Sequence, residues 1–151
     1  MIRLRPMSRT DLGESYCCMN DRQTARLINR DPAMSYAQHV AWFEQALRNP
    51  CRLLFSIEDG SGRYVGTCGF NHIDHRKQQA ELWIVIDKYS RGFGYGTGAT
   101  DTLVRYGFYE KGLTLIYLHV LAHNCAAINL YTRLGFRKTA KTLEGRGPDC
   151  L

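Results

Sequence analysis

Arg91-Gly92-Phe93-Gly94-Tyr95-Gly96-Thr97-Gly98 sets four glycines within seven residues beside an arginine. The apolar run Ala80 to Ile86 precedes it, and Ala99, Leu103 and Tyr106 follow at helical spacing. Glycine admits positive φ and lets a ligand come close to backbone N–H groups. A helix that starts there adds its own unpaired N–H groups and the positive end of its dipole. The stretch therefore reads as a cradle for phosphate oxygens, with Arg91 as a further cation at its lip.

Upstream, Ile2-Arg3-Leu4-Arg5 alternates as a short strand closed by Pro6. Ser8 and Asp11 have capping-box spacing, and Leu12, Tyr16 and Met19 form one helical stripe. The polar stretch from Asn20 to Met34, broken by Pro32, reads as a short helix plus loop. Ser35-Tyr36-Ala37-Gln38 is a second capping box, followed by Val40, Phe43 and Leu47 and stopped at Asn49-Pro50. Arg52–Glu58 and Tyr64–Phe70 form an antiparallel hairpin across Asp59-Gly60-Ser61-Gly62, and Ala80–Ile86 is a third strand.

Downstream, a helix is expected from Thr97 to Glu110 and an apolar strand from Leu113 to Leu121 carrying His119. Asn124 caps a helix from Cys125 to Leu134 that ends at Gly135, and Phe136–Leu143 is the last expected strand. This order predicts one α+β domain over residues 1–151, with a β–glycine loop–α–β–α unit in its second half.

The composition bounds the function. At 151 residues the chain holds one core, and 44% hydrophobic with 23% charged residues is an ordinary globular balance that excludes disorder. A net charge of +6 favours anionic partners, but no dense Lys/Arg block marks a nucleic-acid arm. No apolar run approaches the roughly 18 residues of a membrane span, and no signal-peptide core follows Met1, so a cytoplasmic setting is expected. The cysteines (Cys17, Cys18, Cys51, Cys68, Cys125, Cys150) show no C-x-x-C spacing, and most are expected to be small buried hydrophobes.

Three nucleotide-site patterns compete for the glycine stretch. A P-loop requires Gly-Lys-Ser/Thr, which the chain lacks. A dinucleotide fingerprint is matched by Gly94-x-Gly96-x-x-Ala99, but no acid stands between Thr114 and Leu121 and the preceding strands are antiparallel. The third pattern is Arg91-x-x-Gly94-x-Gly96 after Glu81-Leu82-Trp83-Ile84-Val85-Ile86, then Asn124-x-x-Ala127-Ile128-x-Leu130-Tyr131-x-x-x-Gly135-Phe136. It resembles the GNAT superfamily of acyl-CoA-dependent N-acyltransferases, closely over residues 80–137 and by element order before them. Ser35 to Phe43, with His39 and Trp42-Phe43, is similar to the branch of ribosomal-protein N-terminal, polyamine and nucleotide-linked amino-sugar acetyltransferases.

The resemblance implies a mixed, mostly antiparallel sheet flanked by helices. It places a CoA pyrophosphate on the N–H groups of Gly92, Phe93, Gly94, Tyr95, Gly96 and Thr97, near Arg91. It runs the pantetheine arm beside Ile84, Val85 and Ile86, gives Asn124 a bond to that arm, and lets Arg133 meet a CoA phosphate. Tyr131 takes the position of the acid that protonates the departing thiolate; the alternative is a ring that only packs its helix on the sheet. Glu81, the lone acid of an apolar strand, belongs at a cleft edge, either as the base that deprotonates an amine or as a charge-recognition or salt-bridge residue.

No metal is implied. His72-Ile73-Asp74-His75 reads as a loop or pocket lining, His119 as a satisfied core histidine, and Trp42-Phe43 and Trp83 as core or pocket wall. His123, beside Asn124, is a weaker ligand contact.

The implied activity is transfer of acetyl from acetyl-CoA to a primary amine of a small molecule, by direct attack in a ternary complex. A protein N-terminal acetyltransferase and a non-catalytic CoA-sensing module are the alternatives. The expected partner is a small-molecule amine, with neither membrane nor nucleic acid, and a homodimer is the candidate assembly. Only fifteen residues follow Phe136, and Gly145-Arg146-Gly147-Pro148 favours a turn, so an incomplete last strand is expected at the acceptor pocket.

Overall fold

The computed structural model describes residues 1–139. Five strands, β1 (Ile2–Pro6), β2 (Leu53–Asp59), β3 (Tyr64–Asp74), β4 (Gln79–Ile86) and β5 (Leu115–Tyr117), form one sheet in sequence order. The first four are antiparallel and β5 runs parallel to β4. The helices are α1 (Leu12–Asn20), α2 (Arg22–Leu27), α3 (Tyr36–Arg48), α4 (Tyr95–Arg105) and α5 (Cys125–Arg133).

Strand parity decides what each face of β4 touches. Ala80, Leu82, Ile84 and Ile86 point toward the cluster of Phe70, Ala99, Leu103 and Tyr131. Glu81, Trp83 and Val85 point the other way, where Trp83 and Val85 meet Cys18, Met19 and Trp42 from the N-terminal helices. The strand is apolar on both sides because both faces are covered, and Glu81 interrupts one of them.

Both capping boxes form. Ser35 Oγ accepts from Gln38 N at 3.1 Å while Gln38 Oε1 accepts from Ser35 N at 2.8 Å. Asp11 Oδ2 accepts from Ser8 N at 3.0 Å, and Asp11 takes two further bonds of 2.7 Å from Arg5 and one of 2.8 Å from Ser56. Burial alone would raise the Asp11 pKa; those donors outweigh it and hold the carboxyl at about 2.

Several expectations are corrected. Helix α4 starts at Tyr95, two residues early, because Gly94 at φ 80° supplies the left-handed cap. The expected single helix to Glu110 changes to a π-helical turn over Tyr106–Glu110. Gly107 lies in that turn, where a Cβ would stand 2.8 Å from Ile116 and 2.9 Å from Phe70, so the sheet has drawn the backbone in. Of the strand expected over Leu113–Leu121, only Leu115–Tyr117 forms a continuous strand, with a single bridging residue further on at Leu121. Strand β3 runs through to Asp74, so His72 to Asp74 is not a loop; an irregularity in the β3–β4 register between Asn71 and Asp74 accommodates His72 at φ 52°.

Of the expected last strand, Phe136 to Thr139 has no strand pairing and the rest lies outside the described residues. Among the described cysteines only Cys18 and Cys68 are buried; Cys17 and Cys125 are exposed and Cys51 is half-buried, so most are not core residues. Among the described residues no helix is long and apolar enough to cross a membrane.

Candidate active site

The parallel pairing of β4 with β5 ends at Glu81 and Tyr117. Beyond it the two chains part, and the opening is part of a cleft of about 930 Å³ lined from both sides of the sheet. Ile84, Val85 and Ile86 line it and have no strand partner on that side among the described residues. Such an edge offers backbone N–H and C=O groups to an extended ligand.

The glycine loop closes one end. Gly92 and Gly94 have φ of +86° and +80°, and a Cβ on either would meet no protein atom within 4 Å. Their open sides are therefore room for a ligand. The first internal bond of α4 is Gly98 N to Gly94 O at 3.1 Å, so the N–H groups of Tyr95, Gly96 and Thr97 are the unpaired donors of its first turn. With Arg91 and Arg133 in the same wall, this donor set fits the charge and oxygens of a pyrophosphate.

Arg91 also has a structural task. Its Nη2 donates to Thr24 Oγ1 at 2.8 Å and its Nε to Ile86 O at 3.3 Å, tying α2 to the loop. The Phe93 side chain is exposed and stacks on Tyr95 at 5.6 Å, so only its N–H remains a candidate donor. Asn124 lines the cleft, and its Oδ1 caps α5 by accepting from Ala127 N at 3.3 Å. That leaves the amide nitrogen for an outside acceptor.

Tyr131 projects from α5 into the cleft wall with its ring edge-on to Phe136 at 5.7 Å. Its hydroxyl makes no hydrogen bond among the described residues, and burial pushes the phenol above its ordinary pKa, so it stays protonated. Glu81 comes to the cleft from the other face of β4, 5% exposed. Its Oε1 lies 2.9 Å from His119 Nδ1, and its Oε2 3.5 Å from His72 Nε2.

His119 is thus not a core histidine: it lines the cleft as the partner of Glu81. Sequence reading missed it because only the β4–β5 register, pairing Glu81 with Tyr117, brings a residue two positions further on beside the carboxylate. His75 goes elsewhere, to Pro50 O at 3.0 Å. His123 is not among the lining residues. Trp42 and Trp83 are both core and wall, and Arg30 and Arg52 join them in lining the cleft. Neither arginine stands in a motif, and no local pattern could have found them.

An open glycine loop at a helix start, a free strand edge, and a tyrosine and a carboxylate lining the same cleft are the features an acyl-CoA-dependent transferase requires. The chain belongs to the GNAT acetyltransferase family, whose acetyltransferase (GNAT) domain matches residues 2–137. It is an acetyl-CoA-dependent N-acetyltransferase. Over 135 residues it is 27% identical to the spermidine N(1)-acetyltransferase of Escherichia coli (strain K12), covering 89% of this chain and 72% of that one. It is 35% identical over 141 residues to the uncharacterized N-acetyltransferase p20 of Bacillus licheniformis, covering 91% and 79%. The crystal structure of spermidine N-acetyltransferase from Vibrio cholerae in complex with CoA and spermine superposes with a TM-score of 0.87 at 25% identity, covering 91% of this chain and 82% of that one.

Proposed function

We propose that this chain, as a single domain in the cytoplasm, transfers acetyl from acetyl-CoA to the primary amine of a small molecule within a ternary complex. The observation that carries the reading is that Tyr131 and Glu81 line one cleft, reaching it from opposite faces of the sheet where β4 and β5 separate. Relatives that act on spermidine support a small-molecule acceptor.

Bound acetyl-CoA supplies an activated acetyl thioester. The backbone donors from Gly92 to Thr97, with Arg91 and Arg133, hold its phosphates, and the free edge of β4 aligns its arm. An amine arrives mostly as ammonium, and Glu81 accepts the proton it must lose before its nitrogen can bond to carbon. His119 fixes the carboxylate for that task. Tyr131 donates to the departing sulfur as the carbon–sulfur bond breaks. No cysteine lines the cleft among the described residues, which favours direct attack over an acyl-cysteine relay.

Calorimetry with acetyl-CoA, followed by thiol release in the presence of a panel of primary amines, tests this. Saturable binding and amine-dependent release are expected. Tight binding with no release on any amine would leave a CoA-binding module and overturn the reading.

A further inference from the structure

We propose that the acceptor carries an anionic group, a carboxylate or a phosphate, beside its amine, and that Arg30 and Arg52 bind that group against Trp42. This rests on the amine-acetylation reading above.

Both guanidiniums lie over the Trp42 ring, at 5.4 and 5.7 Å from its centroid, and both line the cleft on the side of Glu81 and Trp83. Neither has a carboxylate within ion-pair distance among the described residues, although both are half-buried. A guanidinium keeps its charge, so burial without a counter-ion is costly until something supplies one. Burial accordingly pulls both arginines below their ordinary pKa.

Two donors in this wall are also unused. Arg30 Nε–H and Trp83 Nε1–H are buried without a hydrogen-bond partner. Both can only donate, so an oxygen-rich ligand is their natural complement.

Arg30 is held in place rather than loose. Its Nη2 donates to His39 Nδ1 at 2.5 Å, which obliges that nitrogen to accept and puts the imidazole proton on Nε2. That proton goes to Ser15 Oγ at 2.8 Å, and Ser15 donates onward to Leu12 O at 3.2 Å. Arg52 is fixed through Nε to Asn71 Oδ1 at 3.0 Å, and Asn71 stands directly across from Glu81 in the β3–β4 register.

The spacing follows from the strand. Trp83, which meets Trp42 edge-on at 6.3 Å, is two residues from Glu81 on the same face, about 7 Å along β4. An amine at Glu81 and an anion at the Trp42 arginines thus suit a compact molecule bearing both. Among the described residues the wall holds one buried acid, Glu81, and one exposed acid, Asp31, against these two cations. A polycation such as the spermine seen in the Vibrio cholerae structure meets repulsion there.

Trp42 and Trp83 are the only two tryptophans of the chain and both line the cleft, so intrinsic fluorescence reads acceptor binding without relying on turnover. The CoA-saturated protein, with its own phosphate sites filled, is titrated with 4-aminobutanoate, 3-aminopropyl phosphate, butylamine and spermidine. At least one anionic probe is expected to bind tenfold or more tightly than butylamine and spermidine, and which one does so separates carboxylate from phosphate. Arg52→Met should weaken that probe at least tenfold, and Arg52→Lys should retain most of the preference. Spermidine or butylamine binding as tightly as both anionic probes overturns the proposal. So does a folded Arg52→Met protein that binds the anionic probe like wild type. Anion preference in fluorescence without acetylation of any amine supports this subsite and sinks the amine-acetylation reading instead.

Discussion

Replacing Tyr131 with phenylalanine isolates one oxygen atom. The ring, its edge-on contact with Phe136 and its place in the cleft wall all persist. The hydroxyl has no protein partner among the described residues, so its loss should change folding stability by no more than about 0.5 kcal/mol. A positioned general acid is worth about 10²- to 10⁴-fold in rate. Burial raises the Tyr131 phenol, widening its distance from a thiol near pKa 8.5, so proton transfer to sulfur is less favourable. The low end of the range follows: a fall of about 10²-fold in kcat, or about 3 kcal/mol of barrier. The assay is thiol release at saturating acetyl-CoA and amine, with the KM for acetyl-CoA and a thermal melt measured alongside. The expected pattern is a lower kcat, an unchanged KM and an unchanged melt. A kcat within threefold of wild type would refute the acid role and leave Tyr131 as packing.

Three further outcomes are expected. Glu81→Gln should lower kcat by about 10²-fold with the KM for the amine little changed; a raised amine KM with kcat within threefold of wild type would assign Glu81 to recognition of the ammonium instead. Gly94→Ala places a methyl at φ +80°, costing about 1–2 kcal/mol of strain, and points it into space free of protein atoms. Acetyl-CoA affinity by calorimetry should fall at least tenfold, and undiminished affinity would remove the cradle from the reading. Burial, with Arg30 beside it, pulls His39 down from 6.5 to about 4. Above pH 6.5 both folded and unfolded chains hold it neutral; below that the unfolded chain takes the proton first, so stability falls as pH drops toward 4. By pH 5 the loss is about 2 kcal/mol, read as a lower urea midpoint than at pH 7. A His39→Gln protein with the same decline would show that another group causes it.

The backbone geometry of the glycine loop was legible because it is local. Gly92 and Gly94 adopt positive φ, and the donors they expose belong to consecutive residues, so a short string of sequence carries the loop's shape. Both capping boxes were readable for the same reason, each being a contact over three residues. The alternation and apolar runs of β1 to β4 likewise report burial that each strand experiences on its own faces.

The acceptor end depends on where separate elements land. His119 was read as core because its neighbours are apolar, yet the parallel register of β5 delivers it to Glu81. The continuous strand expected around it shortens to Leu115–Tyr117, since pairing stops where the sheet opens for the cleft. Arg30 and Arg52 are 22 residues apart in an α2–α3 connection and at the edge of β2, and nothing local links them. They converge only because α3 brings Trp42 to the cleft, where each guanidinium lies over its ring. Sequence alone thus determined the fold class and singled out the glycine loop, Tyr131 and Glu81 as candidates, and the structure brings all of them to one cleft. The tertiary structure decided which charges line the cleft beside Glu81, because that depends on long-range packing and strand register that no local pattern encodes.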